Sequence, residues 1–191
     1  MEKKNEMQQI MILIRQMLFS DIDAVAHIHI DAFPNDVEKY TQSQRWIHSK
    51  FLGWPVNRYF VAVNKERIIG YILWVEMGGF RKNCVLELEQ LAIAIDCRGQ
   101  SVGTHLLDES LMLMTQILAK EKRYIKLVEI TTGKTNEAQR LYIKTLSASV
   151  KCKKKDFFEE DEVIMIARHS SINSARKVRG LSTLLSSEKV D

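Results

Sequence analysis

The chain has 191 residues, 46% of them hydrophobic and 27% charged, with only two prolines and eight glycines. That suits one globular domain with a full core and a short extension, and excludes collagen-like, repeat and low-complexity chains. The formal net charge of +4 tolerates an anionic ligand but does not point to nucleic acid, and no stretch approaches the ~18 apolar residues of a membrane span.

The N-terminal stretch MEKKNEMQQIMILIRQML carries lysines ahead of apolar residues, as a signal peptide does. Its uninterrupted apolar run, Ile10 to Ile14, is short, Arg15 breaks it and no small-residue cleavage site follows, so a first strand from Ile12 to Leu18 is expected instead. Asp21 can cap a helix in which Ile22, Val25, Ile28 and Ala32 form an apolar stripe and Pro34 gives the stop. Val37 to Lys50 reads as a second helix, broken by FLGWP. YFVAVNKERIIGYILWVE reads as a hairpin turning at Asn64 to Glu66, and VLELEQLAIAI, Val85 to Ile95, as a third long strand. Val102, Leu106, Ser110, Leu113, Met114 and Ile117 mark the inner face of a helix ending near Lys120 to Lys122. A strand at Tyr124 to Thr131, a helix at Thr135 to Leu146 and closing strands at Val150 to Phe158 and Glu162 to Ala167 follow.

This order predicts a mixed α/β domain around one sheet over residues 1–167. From Arg168 to Asp191 the periodicity fades into Ser, Arg and Lys, which predicts a polar, flexible tail with a weak helix around Ala175 to Leu185. Cys84, Cys97 and Cys152 cannot all pair and form no CxxC, which predicts reduced, buried thiols in a cytoplasmic protein. His27 and His29 stand two apart on a helix and face different ways, so no metal site is expected.

The joint CRGQSVGTHLL, Cys97 to Leu107, lies between a strand and a helix. A Walker loop needs lysine after its last glycine, and here Thr104 follows Gly103; the spacing also fails the dinucleotide fingerprint. It does fit [QR]-x-x-G-x-[GA], an acyl-coenzyme A loop, with Arg98, Ser101 and Gly103 at the marked places and serine for the first glycine. A helix N-terminus offers unpaired N–H groups and partial positive charge to a pyrophosphate, worth about 0.3–1 kcal/mol per favourable charge. Gly99 and Gly103 are expected to let the backbone approach and to take positive φ, while Arg98 adds a charge-assisted contact.

LAIAIDCRGQSVGTHLL resembles the strand–loop–helix core of the GNAT N-acetyltransferase superfamily, and TNEAQRLYIKTL resembles its second signature, a helix reading roughly N-x-x-A-x-x-L-Y. The order of elements matches from about Ile12 to Ala167. Ser101 for glycine, Thr135 with Asn136 one place late, and LSAS for the usual Gly-Phe are departures. The resemblance implies a GNAT-like fold, a central mixed sheet with splayed strands flanked by helices. It implies transfer of an acetyl group from acetyl-CoA to a primary amine (a protein N-terminus, a lysine or a small amine) by direct attack in a ternary complex, with no metal, no nucleic acid and no membrane, and it leaves a homodimer open. The alternative is a non-catalytic acyl-CoA-binding or interaction module on the same fold.

By the same resemblance the cofactor would be held by Leu91, Ala92 and Ile93 and by Arg98, Gly99, Gln100, Ser101, Val102, Gly103 and Thr104, with an amide near Ile93 facing the thioester carbonyl. Glu87 matches the base position of the histone-acetylating branch, and Glu129 is near that of the branch acetylating ribosomal protein N-termini. Tyr142 would protonate the leaving thiolate. A base matters because neutralising a lysine-like amine at pH 7 costs roughly 4–5 kcal/mol, against about 1 kcal/mol for an α-amine. Strict alternation along VLELEQLAIAI would put Glu87, Glu89, Leu91, Ile93 and Ile95 on one face. Trp46, Trp54 and the acidic FFEEDE turn are further candidates for the acceptor side.

Overall fold

The computed structural model describes residues 12–35, 38–158 and 160–186. The lysine-led start of the chain and the expected helix start at Val37 lie outside the described residues. In chain order the elements are β1 (Ile12–Gln16), α1 (Ile22–Ala32), α2 (Tyr40–Phe51), β2 (Asn57–Asn64), β3 (Arg67–Met77), β4 (Asn83–Ile93), α3 (Val102–Lys120), β5 (Tyr124–Gly133), α4 (Ala138–Leu146), β6 (Ser149–Lys154), β7 (Glu162–Arg168) and α5 (His169–Val178). The strands form one mixed sheet in the order β1-β2-β3-β4-β5-β7-β6, antiparallel throughout except for the parallel pair β4–β5. The fold is the mixed α/β arrangement expected from the sequence.

Each face of the sheet has its own core. One is built from Phe60, Trp74, Leu86, Leu88, Val128 and Met165 of the strands against Leu106, Leu111 and Met114 of α3 and Tyr142 and Leu146 of α4. The other packs Val25, Ile28 and Ile47 of α1 and α2 on Tyr59, Val61, Tyr71 and Ala92, all from β2, β3 and β4. Each buried Val, Leu, Ile, Phe or Met side chain among them contributes about 1.5–3 kcal/mol relative to exposure. The second core stops at β4, so Glu129, Ile164 and Ile166, further along the sheet, stay only partly buried.

Two expectations about backbone are revised. Alternation along β4 is interrupted by a bulge: Leu73 pairs with Gln90 and Trp74 with Leu88, which leaves Glu89 without an opposite residue on β3. One extra residue shifts the parity of everything after it. Leu86 and Leu88 lie in the α3 core, whereas beyond the bulge Leu91 and Ile93 take that side and Ala92 and Ala94 turn to α1. Glu87 and Glu89 therefore do not share a face with Leu91 and Ile93, and Ile95 sits exposed in the turn after the strand.

Residues 168–186, expected as a polar tail, contribute a helix and a packed return. In α5, Ile172 is fully buried, and Arg176 and Arg179 both bind Asp108 of α3. Arg179 also donates to the Thr145 carbonyl of α4 at 2.9 Å, and Leu184 is buried behind the helix. The cysteines are free, but only Cys84 is buried; Cys97 is partly exposed and Cys152 is exposed. Among the described residues no helix is long and apolar enough to cross a membrane.

Candidate active site

β4 and β5 run parallel only from Asn83 beside Tyr124 to Glu87 beside Glu129. Beyond that rung they part. β4 stays on β3 as far as Ile93 opposite Gly70, and β5 stays on β7 as far as Gly133 opposite Glu162. The gap is a cavity of about 410 Å³ lined by β4 residues Leu88 to Ile93, by Arg98 and Gly103, by Thr131 and Thr132, and by Leu141 and Tyr142 of α4. Along this edge β4 has lost its parallel neighbour, so its backbone groups are available to something lying in the cleft.

At the mouth the chain turns from β4 into α3. Arg98 Nε donates to the Ile93 carbonyl at 3.1 Å, folding the loop back on the strand end, and Gln100 Nε2 donates to the Asp96 carbonyl at 3.0 Å. Gly99 has φ +75°. Gly103, expected to share that conformation, does not; the second left-handed residue is Ser101, with φ 61° and ψ 9°. An L-residue there costs about 1–2 kcal/mol. Gly103 answers a different need. A Cβ on it would lie 3.4 Å from Leu141 Cδ2 and 3.8 Å from Ile93 Cγ1, so any larger side chain would run into the cleft between those walls. The first helical bond runs from the His105 amide to the Ser101 carbonyl, and the Ser101 side chain makes no capping bond. The amides of Val102, Gly103 and Thr104 are therefore left without helical acceptors, at the positive end of a 19-residue helix. The Val102 side chain packs in the core, and His105 is exposed.

Tyr142 lies across the cleft on α4. It is 5% exposed and lines the cavity, and burial pushes its phenol up to about 12. At pH 7 it is a protonated donor.

Glu87 and Glu129 stand side by side on the last shared rung, on the α2 side of the sheet. Glu87 is half-buried, and its carboxyl is pushed above the ordinary range first by burial, then by Glu89 and Glu129; Lys50 and Lys154 pull the other way. Glu89 is paired with Lys50 of α2 at 2.6 Å, and Lys50 also lies 4.8 Å over the Trp46 ring. Lys154 sits 3.9 Å over Phe157 at the β6–β7 turn. Trp54 is exposed, with the Arg58 guanidinium 5.7 Å over its ring. Neither Lys50 nor Lys154 carries a sequence signal; the sheet and the α2 packing bring them in.

A buried polar chain fixes the bulged strand. The Ser43 hydroxyl donates to the Ala26 carbonyl at 2.8 Å, which assigns the His29 Nδ1–H as donor to Ser43 Oγ at 2.8 Å. Gln90 Nε2 then donates to His29 Nε2 at 3.2 Å, and the Tyr71 hydroxyl to Gln90 Oε1 at 3.2 Å. His29 thus ties α1 and α2 to β4, while His27 is exposed and stacked on Tyr40. Among the described residues no cluster of His, Cys, Asp and Glu could hold a metal. A larger hollow of about 620 Å³ lies beside α1, but Arg15–Asp21 and Arg67–Asp96 pair within its wall.

No curated protein matches the sequence. Solved structures with the same fold include the ribosomal-protein-S18-alanine N-acetyltransferase of Escherichia coli, 15% identical over 95% of this chain and 99% of that one, with a TM-score of 0.64. The spermidine/spermine N-acetyltransferase SpeG of Vibrio cholerae is 17% identical over 84% of this chain and 95% of its own, again at 0.64. NAA60 of Arabidopsis thaliana, solved with a bisubstrate analogue, is 16% identical over 83% and 99%, also at 0.64. The sequence model of the acetyltransferase (GNAT) family matches residues 22–146, from the start of α1 to the end of α4. The chain belongs to the GNAT acetyltransferase family.

Proposed function

We propose that this protein transfers an acetyl group from acetyl-CoA to a primary amine by direct attack in a ternary complex. The observation that carries the reading is the joint geometry of the splay: it opens a strand edge toward a helix start on one side, and ends at paired carboxylates on the other. The residues present fit the cosubstrate. Amides of Val102, Gly103 and Thr104 would hold the pyrophosphate, with Arg98, Gly99, Gln100 and Ser101 shaping the loop. Gly103 leaves clear the space a side chain would fill. Backbone groups of Leu91, Ala92 and Ile93 would hold the pantetheine arm, and an N–H there would face the thioester oxygen. Bound in this way, acetyl-CoA supplies an activated acyl group.

The chain's own groups then handle protons. Glu87, its basicity raised by burial and neighbouring carboxylates, takes the proton of the incoming ammonium, with Glu129 beside it as the second candidate. Tyr142, protonated at neutral pH, gives a proton to the departing thiolate. The three cysteines have no part in the reaction.

Thiol release from acetyl-CoA in the presence of a panel of amines tests the reading, with initial rates measured at varied concentrations of both substrates. Intersecting double-reciprocal lines are expected; parallel lines would replace direct attack by an acyl-enzyme. Acetyl-CoA binding, seen as about 2.7 kcal/mol of stabilisation at ~100 times its Kd, without thiol release from any amine would leave a binding module.

A further inference from the structure

The acceptor side carries its own cations. Glu87, Glu89 and Glu129 face one another on the α2 side of the sheet, but Lys50 is already bound to Glu89 at 2.6 Å and Lys154 acts on Glu87 from the β6–β7 turn. Three carboxylates against two ammoniums leave one negative charge. Further along the same face Glu162 and Arg168 add one charge of each sign, and β7 alternation puts both on the side of Ile164 and Ile166. Each lysine is held over an aromatic ring, Lys50 over Trp46 and Lys154 over Phe157. Both rings are nearly half exposed, at 43% and 47%.

Resting on the acetyl-transfer reading above, we propose that Lys50 and Lys154 are built-in counter-cations that limit the acceptor to a single positive charge, so that the site takes the α-amine of a peptide with an apolar first residue and rejects polyamines. A second ammonium brought in by a polyamine would meet Lys50 or Lys154 rather than a free carboxylate, and like charges at that range repel. One ammonium, by contrast, finds Glu87 and Glu129 together on one rung. The exposed parts of Trp46 and Phe157, each beneath one of the two lysines, would offer apolar contact to the neighbouring side chain. On this face of β5 and β7 Ile164 and Ile166 are only partly buried among the described residues, which gives a peptide a path to continue. An α-amine also asks least of the base, because it is closest to neutrality at pH 7.

The test measures kcat/KM for a peptide with a free N-terminal alanine or methionine and for spermidine, in the wild-type protein, in the Lys50→Gln/Lys154→Gln double variant and in Lys50→Arg. The wild type should favour the peptide at least tenfold. The double variant should shift that preference toward spermidine by at least tenfold, and Lys50→Arg, which keeps the charge, should stay close to the wild type. Equal use of both acceptors by the wild type, or a double variant whose preference does not move, overturns the charge-balance inference while leaving acetyl transfer intact. No thiol release with either acceptor, while another primary amine is acetylated, overturns this inference alone; no thiol release with any amine overturns the transfer reading and this inference with it.

Discussion

On the loop side of the cleft the available groups are backbone: the amides of Val102, Gly103 and Thr104 at the start of α3, and the freed edge of β4. On the sheet side they are side chains, Glu87, Glu89 and Glu129 set against Lys50 and Lys154. The two sides respond to sequence change differently. Helix-start amides exist whatever the side chains are, so serine can replace glycine at 101 without removing a donor. A charge array has no such tolerance, because each member sets the potential felt by the rest. The loop side should therefore fail only where a side chain enters the cleft, and the sheet side should change with any single charge.

The largest effect should come from breaking the loop side where it is closed to substitution. Gly103→Asp directs a carboxylate between Leu141 and Ile93 into the phosphate space, and should weaken acetyl-CoA binding at least ~100-fold, about 2.7 kcal/mol, in calorimetric titration while circular dichroism stays unchanged. Next is Tyr142→Phe. The ring still fills its buried place, so acetyl-CoA affinity should hold while kcat falls about 10²-fold; unchanged turnover, with chemistry rate-limiting, would reduce Tyr142 to packing.

Glu87→Gln and Glu129→Gln sharpen the sheet side. Loss of the true base should lower kcat about tenfold or more and remove the acid-side limb of the pH–rate profile, and Glu87 is expected to be that residue. Stability provides a second readout. The folded-state pKa of Glu87 is raised, so its contribution is fully present below the unfolded value near 4.5 and is lost as pH rises through the folded value. Glu87→Gln should accordingly raise Tm at pH 7, with the gain shrinking toward about pH 4. The smallest effect is Ser101→Gly. It relieves a left-handed L-residue, adding up to about 1 kcal/mol of stability, and should change acetyl-CoA affinity by less than tenfold.

The same contrast governs what could be read before folding. The loop side was legible because its chemistry is local: a strand, Gly99, a helix start and the Leu141-Tyr142 pair are patterns within short stretches. Even there, which residue takes positive φ was misassigned, since Gly103 matters for the space it leaves and Ser101 carries the strain. On the sheet side Glu87 and Glu129 were visible as candidates and alternation alone sets Glu89 beside Glu87, but the adjacency of Glu87 and Glu129 depends on a parallel register between strands 42 residues apart in the chain, and the bulge that sends Leu91 and Ile93 to the opposite face is one that period-2 counting cannot foresee. Lys50 and Lys154 arrive from α2 and the edge strand with no local cue. The α5 helix begins six residues before the weak helix read at Ala175 to Leu185, and its docking was not legible because its buried side is mostly polar: Arg176 and Arg179 reach Asp108, a pairing that hydrophobic periodicity does not register.

Hydrogen–deuterium exchange of the wild-type protein with and without saturating acetyl-CoA tests the central assignment most directly. The account predicts new protection at the amides of Leu91 to Ile93 and Val102 to Thr104, with little change in the hollow beside α1. Binding that leaves both segments unprotected would contradict it, and the β4–β5 cleft would no longer be the cofactor site.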